Sequence, residues 1–307
     1  MDFSHISVLF QECMDGLAIR PDGIYLDGTA GGAGHSAGIA ARLESGRLFA
    51  LDQDPDAVTT ASARLAAFPN AKVIHENFRN IPAVLAREGV AGLDGVLLDL
   101  GVSSYQLDTA ERGFSYLKDA PLDMRMSKEG PSAADLVASA SETELARILW
   151  EYGEERFSRQ IARAVVRARE KAPVATTLQL AELVKSALPA AARREKNPCK
   201  RSFQALRIAV NSELDALSAG IDGAFEALNP GGRLAVITFH SLEDRMVKQK
   251  FKALCQGCTC PPEFPVCVCG KTPRALLVTR KPILPSEEEL AANRRSQSAK
   301  LRLLEKR

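Results

Sequence analysis

The sequence predicts an α/β fold in which helices cover both faces of a parallel sheet. Over the first hundred of its 307 residues, short apolar segments alternate with segments of helical periodicity. Strands that are apolar along their whole length and separated by helices are typical of parallel sheets buried on both sides. A glycine-rich turn, GTAGGAG at residues 28–34, directly follows the first apolar segment. A later block of purely helical patterns interrupts the alternation.

The elements of the first hundred residues follow in order. The predicted strands are GIYLD, GRLFALDQD, AKVIHENF and DGVLLDLGV, and the predicted helices are HSAGIAARL and PDAVTTASARLAAF. Pro55 opens the second helix at a position that helices accept.

After about residue 105 the patterns are helical, including SETELARILWEYG, where Ser141 and Glu144 have the spacing of a capping box. A long helical stretch, RSFQALRIAVNSELDALSAGIDGAFEAL, returns toward the sheet. NPGGRLAVITFH then predicts a turn and a strand, and RALLVTR and SAKLRLLEK predict a closing pair of strands. The predicted organisation is a sheet domain in two parts, 1–105 and 214–307, with a helical insert domain at 106–213.

Composition excludes several classes of protein. The chain is 46% hydrophobic and 25% charged, as in ordinary globular proteins. No apolar run reaches the roughly 18 residues that span a bilayer, so no membrane association is expected. The N-terminal segment MDFSHISVLFQE lacks the features of a secretory signal, which favours a cytoplasmic location. Five of the seven cysteines crowd into residues 255–269, unlike the spread of a disulfide scaffold.

Charge is distributed unevenly along the chain, although its net value is only +2. Residues 147–207 carry 14 Lys and Arg against 6 Asp and Glu, a net of +8, so the remainder carries 26 against 32, or −6. This pattern favours a polyanionic partner. The candidate contacts are Arg156, Arg159, Arg163 and Arg167 at helical spacing, and Arg193, Arg194, Lys196, Lys200 and Arg201. The first set could instead be a solvated helix face paired with Glu151, Glu154 and Glu155.

The glycine-rich turn predicts a binding site for a nucleoside-containing cofactor. A strand, a glycine-rich turn and a helix start present backbone N–H groups to a ligand, and Asp52 ends the next strand, where a carboxylate can bind ribose hydroxyls. A dinucleotide and S-adenosylmethionine both fit this arrangement. Asp27, at the end of the first strand, favours the methyl donor, because its carboxylate would pair with an ammonium group and repel a pyrophosphate.

Several longer stretches identify the chain more closely. They are DGVLLDLGVSSYQLDTAERGFSYLKDAPLDMRM, YGEERFSRQIARAVV, RSFQALRIAVNSEL, PGGRLAVITFHSLEDRMVK and ANRRSQSAKLR. Together they resemble the ribosomal RNA small subunit methyltransferase H family, the MraW-type cytosine-N4 methyltransferases, from near His5 to near the C-terminus. The resemblance implies a Rossmann-like class I S-adenosylmethionine-dependent methyltransferase domain with an inserted all-helical domain that recognises RNA.

The same resemblance implies a reaction and a set of site residues. S-adenosylmethionine would donate a methyl group to the exocyclic N4 of a cytidine in 16S rRNA, free or within the small ribosomal subunit. The implied donor site consists of Ala33, Gly34, His35, Asp52, Phe78, Asp99 and Gln106. From its place at a strand end, Asp99 is the nearest candidate proton acceptor, or a donor-binding acid alone. His240, also after a strand, could accept or relay the proton, hydrogen-bond the base or a phosphate, or be a structural residue. Glu243, Asp244 and Arg245 are expected to cap the helix after His240.

Further features leave alternatives open. In PLDMRM, Asp123 and Arg125 could face the target base, while Met124 and Met126 are expected to be core residues. Two departures from the family pattern are Ala33, where glycine is usual and a positive φ would be strained, and NPCKRS at residues 197–202. The proposed reaction requires no metal, but four of the five clustered cysteines could hold a structural zinc ion. The cluster consists of Cys255, Cys258, Cys260, Cys267 and Cys269.

Three other functions are compatible with parts of the sequence. A DNA amino-methyltransferase is disfavoured, because such enzymes usually carry [SDN]-P-P-[YFW] where this chain has DLGV. A noncatalytic RNA-binding assembly factor would bind RNA without cofactor affinity. A dinucleotide oxidoreductase would bind a nicotinamide cofactor. The residues predict no oligomeric state.

Overall fold

A computed structural model describes residues 7–261, 264, 266 and 268–307. The chain divides into two compact units, one of Met1–Gly101 with Asp215–Arg307 and the other of Val102–Leu214. The insert boundaries therefore lie four residues earlier and one residue later than the sequence predicts.

The first unit is built on a seven-stranded sheet within the described residues, in the order β3-β2-β1-β4-β5-β7-β6. The strands β1 to β5 pair in parallel, whereas β7 pairs antiparallel with β5 and with β6. This order, with its reversal at β1, confirms the predicted Rossmann-like fold of class I methyltransferases. The strands are β1 Ile24–Asp27, β2 Arg47–Asp52, β3 Ala71–His75, β4 Leu93–Asp99, β5 Leu228–Thr238, β6 Ala275–Leu277 and β7 Lys300–Lys306.

Helices pack on both faces of this sheet, because the strands are apolar on both sides. One core includes Leu26, Leu98 and Phe225, and the other includes Tyr25, Leu97 and Ile237. Neighbouring residues of β1 and β4 thus belong to opposite cores, as alternation along a strand requires. The helices of this unit are α1 Phe10–Leu17, α2 Gly34–Ala40, α3 Pro55–Leu65, α4 Ile81–Glu88, α12 Glu213–Ala227, α13 Ser241–Cys255 and α14 Glu287–Ala292. Glu213 and Leu214, at the start of α12, belong to the second unit.

The second unit is helical and has its own apolar core. Met124 and Met126 are 1% and 5% exposed in that core, which confirms their predicted packing. Ser141 caps α7 by accepting a hydrogen bond from Glu144 N–H at 3.1 Å. The helices are α5 Ser104–Asp108, α6 Ala133–Ser139, α7 Glu142–Gly153, α8 Ser158–Arg169, α9 Thr177–Ala187, α10 Ala190–Arg193 and α11 Lys200–Asn211.

Two segments differ from the sequence prediction. The long helical stretch is broken at Ser212, which has φ 48° and ends α11 before α12 begins. The predicted turn at 229–232 lies within β5, where the pairing with β4 shifts between Leu228 and Arg233 and Gly231 adopts φ 79°. The glycines thus allow an irregularity inside a strand. No helix among the described residues has the length and hydrophobicity needed to cross a membrane.

Candidate functional site

Three aspartates end neighbouring parallel strands at one edge of the first unit's sheet. Asp27 of β1 aligns with Ala50 of β2 and Leu97 of β4. Asp52 and Asp99 therefore lie two residues beyond that level on the flanking strands. The carboxyl edge of a sheet at a reversal of strand order is where α/β proteins bind ligands.

Backbone hydrogen bonds fix the glycine-rich turn to this edge. Gly28 N–H donates to Leu97 O at 2.9 Å, and Ala30 N–H donates to Leu51 O at 2.8 Å. Gly31 N–H donates to Asp52 Oδ2 at 2.8 Å, with Gly31 at φ 50°. The turn is thereby held between β2 and β4, with α2 starting directly after it.

Ala33 is strained in this turn. Its φ is 58°, its side chain is fully buried, and it precedes the first residue of α2. A left-handed conformation costs a residue with a Cβ about 1 kcal/mol relative to glycine. Ala33 therefore has the positive φ that is strained for a residue other than glycine.

Asp27 is fully buried beneath the turn. It accepts hydrogen bonds from Ser36 Oγ at 2.6 Å and from Thr29 N–H at 3.1 Å. Burial raises the pKa of Asp27 above its usual value, and these hydrogen bonds oppose that shift. The carboxyl group thus organises the turn and adds negative charge below it.

Asp52 accepts two backbone hydrogen bonds, from Gly31 N–H and from Asp54 N–H at 2.9 Å. Burial raises the pKa of Asp52 to about 6, and the nearby Asp54 and Asp27 add to the shift. Each carboxylate oxygen retains a lone pair beyond these bonds, so the group can still accept from a ligand hydroxyl.

Asp99 is the least satisfied acid at this edge. Its N–H donates to Thr29 Oγ1 at 2.7 Å, which fixes its backbone, but among the described residues its buried Oδ1 has no hydrogen-bond partner. Burial raises the pKa of Asp99 well above its usual value, and the charges of Asp27 and Glu243 raise it further. A buried carboxyl oxygen without a partner calls for a ligand with a donor or a positive charge.

His35 faces the other oxygen of Asp99. Its Nδ1 lies 3.6 Å from Asp99 Oδ2, and its Nε2 lies 3.0 Å from Val8 O. Because a carbonyl oxygen only accepts, Nε2 carries a proton in this arrangement. The ring is buried beside Phe10, with ring centroids 6.0 Å apart.

Phe78 follows β3 and packs against the sheet core. A Cβ atom placed on Gly220 would lie 2.4 Å from its ring, and one on Gly28 would lie 2.9 Å from its Cβ. These two glycines therefore leave room for the aromatic side chain beside the turn. Larger residues at either position would displace it.

His240 begins α13 as part of a reciprocal cap. Its Nδ1 accepts from Glu243 N–H at 3.4 Å, and Glu243 Oε2 accepts from Phe239 N–H at 2.8 Å. His240 Nε2 lies 3.0 Å from Glu243 Oε1, a distance suited to an ion pair, although its orientation does not form a hydrogen bond. Asp244 instead pairs with Arg302 at 2.7 Å and Lys300 at 3.2 Å, which joins α13 to β7.

The remaining predicted polar residues of the site belong to the second unit. Gln106 is 5% exposed, and its side chain accepts from Ser103 N–H at 3.0 Å in a capping box of α5. Arg125 makes a two-pronged ion pair with Asp123, at 2.9 Å and 2.7 Å. This pairing lowers the pKa of Asp123 and occupies the two groups predicted to face a base.

The basic residues predicted to contact an anionic partner are all exposed, in both sets. Arg163 lies 3.4 Å from Glu142, whereas Glu151 pairs with Arg147 at 2.6 Å. Within the described part of the chain, Arg194, Lys196 and Lys200 have no side-chain partner, and Arg193 and Arg201 donate only to backbone oxygens. Among the described residues, Arg163 is the only member of the first set with a side-chain partner, so both sets are available for an anionic ligand.

The sequence reasoning missed Thr29 and Ser36, which hold Asp99 and Asp27 in place. Thr29 stands two residues after Asp27, a spacing typical of side-chain turns, and this signal could have found it. Ser36 lies nine residues from Asp27, across the turn, and no local pattern points to that contact.

The family model described as the MraW methylase family matches residues 2–307. The chain belongs to the MraW methylase family. A ribosomal RNA small subunit methyltransferase H from Brevibacillus brevis is 56% identical over 310 residues, covering 100% of this chain and 99% of the relative. The protein of the same name from Heliobacterium mobile is 54% identical over 311 residues, covering 100% of both.

A crystal structure of an rRNA methylase from Streptococcus thermophilus is 12% identical, with a TM-score of 0.45 that covers 99% of both chains. This likeness is distant, and the fold is defined instead by the order of strands in the sheet of this chain. The family match confirms the resemblance seen in the sequence, because the family model covers the chain from residue 2 to residue 307.

Proposed function

We propose that this protein transfers a methyl group from S-adenosylmethionine to the exocyclic N4 of a cytidine in 16S rRNA, free or within the small ribosomal subunit. Membership in the MraW methylase family and the names of its relatives support an rRNA substrate. Because ribosomal subunits are cytoplasmic, so is the proposed activity.

The observation that carries the proposal is the buried Asp99 Oδ1 without a partner. It lies at an edge where burial raises the pKa of three aspartates, Asp27, Asp52 and Asp99. No Lys or Arg in the described residues forms an ion pair with any of them. A cationic ligand would relieve this excess of negative charge, whereas a pyrophosphate would increase it.

S-adenosylmethionine has the matching chemistry, because it carries a sulfonium and an ammonium group on a nucleoside. In the proposed site, Asp52 accepts from the ribose hydroxyls and Phe78 packs beside the adenine. Ala33, Gly34 and His35 border the donor at the start of α2, and Asp99 and Gln106 complete the contacts. The remaining lone pairs of Asp52 and the room left by Gly28 and Gly220 support these roles.

The bound donor supplies an electrophilic methyl carbon on sulfur. Cytidine N4 is a poor nucleophile, because its lone pair is delocalised into the ring. As the N–C bond forms and the C–S bond breaks, N4 must lose one proton. Asp99 is the proposed acceptor of the amino hydrogen bond and of that proton, since its Oδ1 is free to accept one and its pKa is raised.

The hydrogen bonds of His240 limit its ability to accept the proton from N4. The lone pair of Nδ1 is engaged by Glu243 N–H, so the ring as placed has no free lone pair to take a proton. We assign it a positioning role, in which the cap fixes Phe239 and His240 at the end of β5.

The second unit is proposed to bind the RNA backbone. Arg193, Arg194, Lys196, Lys200 and Arg201 are exposed and adjacent in sequence, as phosphate contacts require. Such contacts position the substrate without reading its sequence.

The proposal is tested with small subunits and free 16S rRNA from cells that lack the protein. Labelled S-adenosylmethionine is supplied, and the RNA is digested to nucleosides for mass analysis. The expected product is N4-methylcytidine at a single position. A methyl group on another atom would overturn the N4 assignment. No transfer to the subunit or the free RNA would overturn the proposed function.

A further inference from the structure

Three cysteines of the first unit bring their sulfur atoms together outside the proposed catalytic site. The Sγ atoms of Cys258, Cys260 and Cys269 all lie within 4.8 Å of one another. The Sγ atoms of Cys258 and Cys269 are 3.7 Å apart. Three thiols this close, drawn from two Cys-x-Cys pairs, have the arrangement of ligands around one tetrahedral metal ion.

Backbone amides surround this cluster. Thr259 N–H donates to Cys269 Sγ, Cys260 N–H to Cys258 Sγ, and Val268 N–H to Cys260 Sγ, each at 3.4 Å. Hydrogen bonds from amides stabilise negative charge, so each of the three sulfurs is prepared to act as a thiolate. Outer hydrogen bonds of this kind orient the ligands of metal sites.

We propose that Cys258, Cys260 and Cys269 bind a structural zinc ion as thiolates. Thiolates are soft ligands that select Zn²⁺, and binding releases the thiol protons to solvent. Three thiolates leave one tetrahedral position for a fourth ligand. By sequence, Cys267 is the partner of Cys269 in its Cys-x-Cys pair; it lies outside the described residues.

Cys255 is separate from the cluster. It ends α13 and packs against the sheet core with Leu254, where burial raises the pKa of its thiol. The five-cysteine pattern of the sequence therefore divides into a core thiol and a group that could hold metal. Cys255 supplies a matched control for every substitution in the cluster.

The chain around the cluster explains why a metal would be needed there. Residues 256–274 join α13 to β6, and their described part contains no helix or strand. The segment is closed at its base by Arg274 N–H donating to Leu254 O at 2.9 Å. Its apolar side chains Phe264, Val266 and Val268 are 50%, 69% and 73% exposed, so the described residues of the segment form no core of their own. A metal ion would replace that missing core as a cross-link.

The test measures metal in the full-length protein, purified without an affinity tag and without added zinc. We expect about one Zn²⁺ per chain by mass spectrometry. Cys258→Ser, Cys260→Ser and Cys269→Ser should each reduce this content at least about fivefold, whereas Cys255→Ser should retain it. Cobalt substitution should give the intense near-ultraviolet absorption of sulfur-to-cobalt charge transfer in the wild type and in Cys255→Ser only.

Two results would overturn the proposal. One is folded wild-type protein with no zinc that also fails to take up Co²⁺ under reducing conditions. The other is a Cys258–Cys269 disulfide, found by peptide mapping under conditions that prevent oxidation during purification. A variant that failed to fold would not obscure the result, because metal content and cobalt spectra of the wild type decide it independently of methyl transfer.

Discussion

The two units of the chain carry opposite charges that lack protein partners. In the first unit they are carboxyl groups that lack a cationic partner at a sheet edge, of which Asp99, with its buried and unpartnered Oδ1, is the clearest case. In the second unit they are exposed ammonium and guanidinium groups on helices, such as Arg194 and Lys196. Buried acids suit a small cation that leaves water, whereas exposed bases suit a large polyanion that remains hydrated. This difference is consistent with the proposed function, in which carboxylates of the first unit would bind the methyl donor and exposed bases of the second unit would bind RNA phosphates.

We expect the strongest loss of activity from a substitution of Asp99, which lies at the acidic edge formed by Asp27, Asp52 and Asp99. Asp99→Asn removes the negative charge and the proton acceptor, so methyl transfer should fall about 100- to 1,000-fold. Steady-state rates with saturating donor measure the change, and circular dichroism checks the fold. Glu305→Gln, at the opposite end of the sheet, is the matched control and should be within about twofold of wild type. A similar rate in Asp99→Asn would contradict the proposed role.

The basic unit is examined by a pair of double variants with equal charge change. Arg194→Ala with Lys196→Ala removes two unpaired cations, so RNA affinity should fall about tenfold and the slope of log K against log salt by about 1.5. Arg147→Ala with Lys185→Ala removes two cations that pair with Glu151 and Glu182.

Filter binding over a range of salt concentrations measures the RNA affinity and its salt slope. Both should change little in the control, Arg147→Ala with Lys185→Ala. Donor affinity should remain the same in both double variants, because none of the four substituted residues is a proposed donor contact. Equal losses of RNA affinity in the two double variants would mean that net charge, rather than the unpaired cluster, governs binding.

Donor binding should depend on pH through Asp52. Its pKa is raised to about 6, so in the ligand-free protein its contribution to stability is present below pH 3.8 and declines as pH rises through about 6. A cationic donor favours the ionised edge, so the rise in Tm on adding donor should be greater at about pH 8 than at about pH 5.

Asp52→Asn should weaken the donor affinity about five- to tenfold and flatten this dependence. Asp94→Asn is its control, because Asp94 also accepts backbone and side-chain donors but lies at the other end of β4. Thermal melts across pH give the answer. If the rise in Tm caused by the donor became smaller toward high pH, ionised Asp52 would not favour donor binding as proposed.

His240 should show a smaller effect. His240→Ala removes the cap of α13 and should cost about 1 kcal/mol of stability, whereas His240→Asn can cap equally well and should cost little. If the residue positions rather than reacts, His240→Asn should keep its methyl-transfer rate within about fivefold and its pH profile unchanged. A stable His240→Asn with a rate lowered about 100-fold would instead assign it a chemical role.

The smallest effects concern the turn between β1 and α2. Ala33→Gly should stabilise the protein by less than about 1 kcal/mol, because relief of the positive φ exceeds the loss of one buried methyl group only slightly. Gly31→Ala should destabilise it by about 1 kcal/mol, since Gly31 also has a positive φ. The urea midpoints of unfolding of the two variants should shift in opposite directions from that of the wild type. Shifts of the same sign would mean that strain does not determine the effect.

Much of the first unit could be predicted from the sequence, because its signals are local. Apolar runs predict β1 to β4, and the aspartates that end β1, β2 and β4 mark the acidic edge. The break at Ser212 could not be predicted, since the residues on both sides have good helical patterns and serine is only mildly unfavourable in helices. The shifted pairing inside β5 depends on contacts with β4 that no local pattern encodes.

The candidate site was predictable in its positions but not in its hydrogen bonds. Asp52 and Asp99 are marked by their places at strand ends, yet the unpartnered Oδ1 of Asp99 follows from where Thr29 and His35 lie. The engagement of His240 by Glu243 likewise needs the geometry of the helix start. Sequence spacing also grouped Cys255 with the other cysteines, although packing separates it.

Binding of a cationic methyl donor at the acidic edge can be measured directly. Calorimetric titration with S-adenosylmethionine at about pH 6, repeated in buffers of different ionisation enthalpy, counts the protons exchanged on binding. A cation lowers the raised pKa values of Asp52 and Asp99, so we expect binding to release protons and Asp99→Asn to release fewer. Binding with no proton release, or no binding at all, would contradict this expectation.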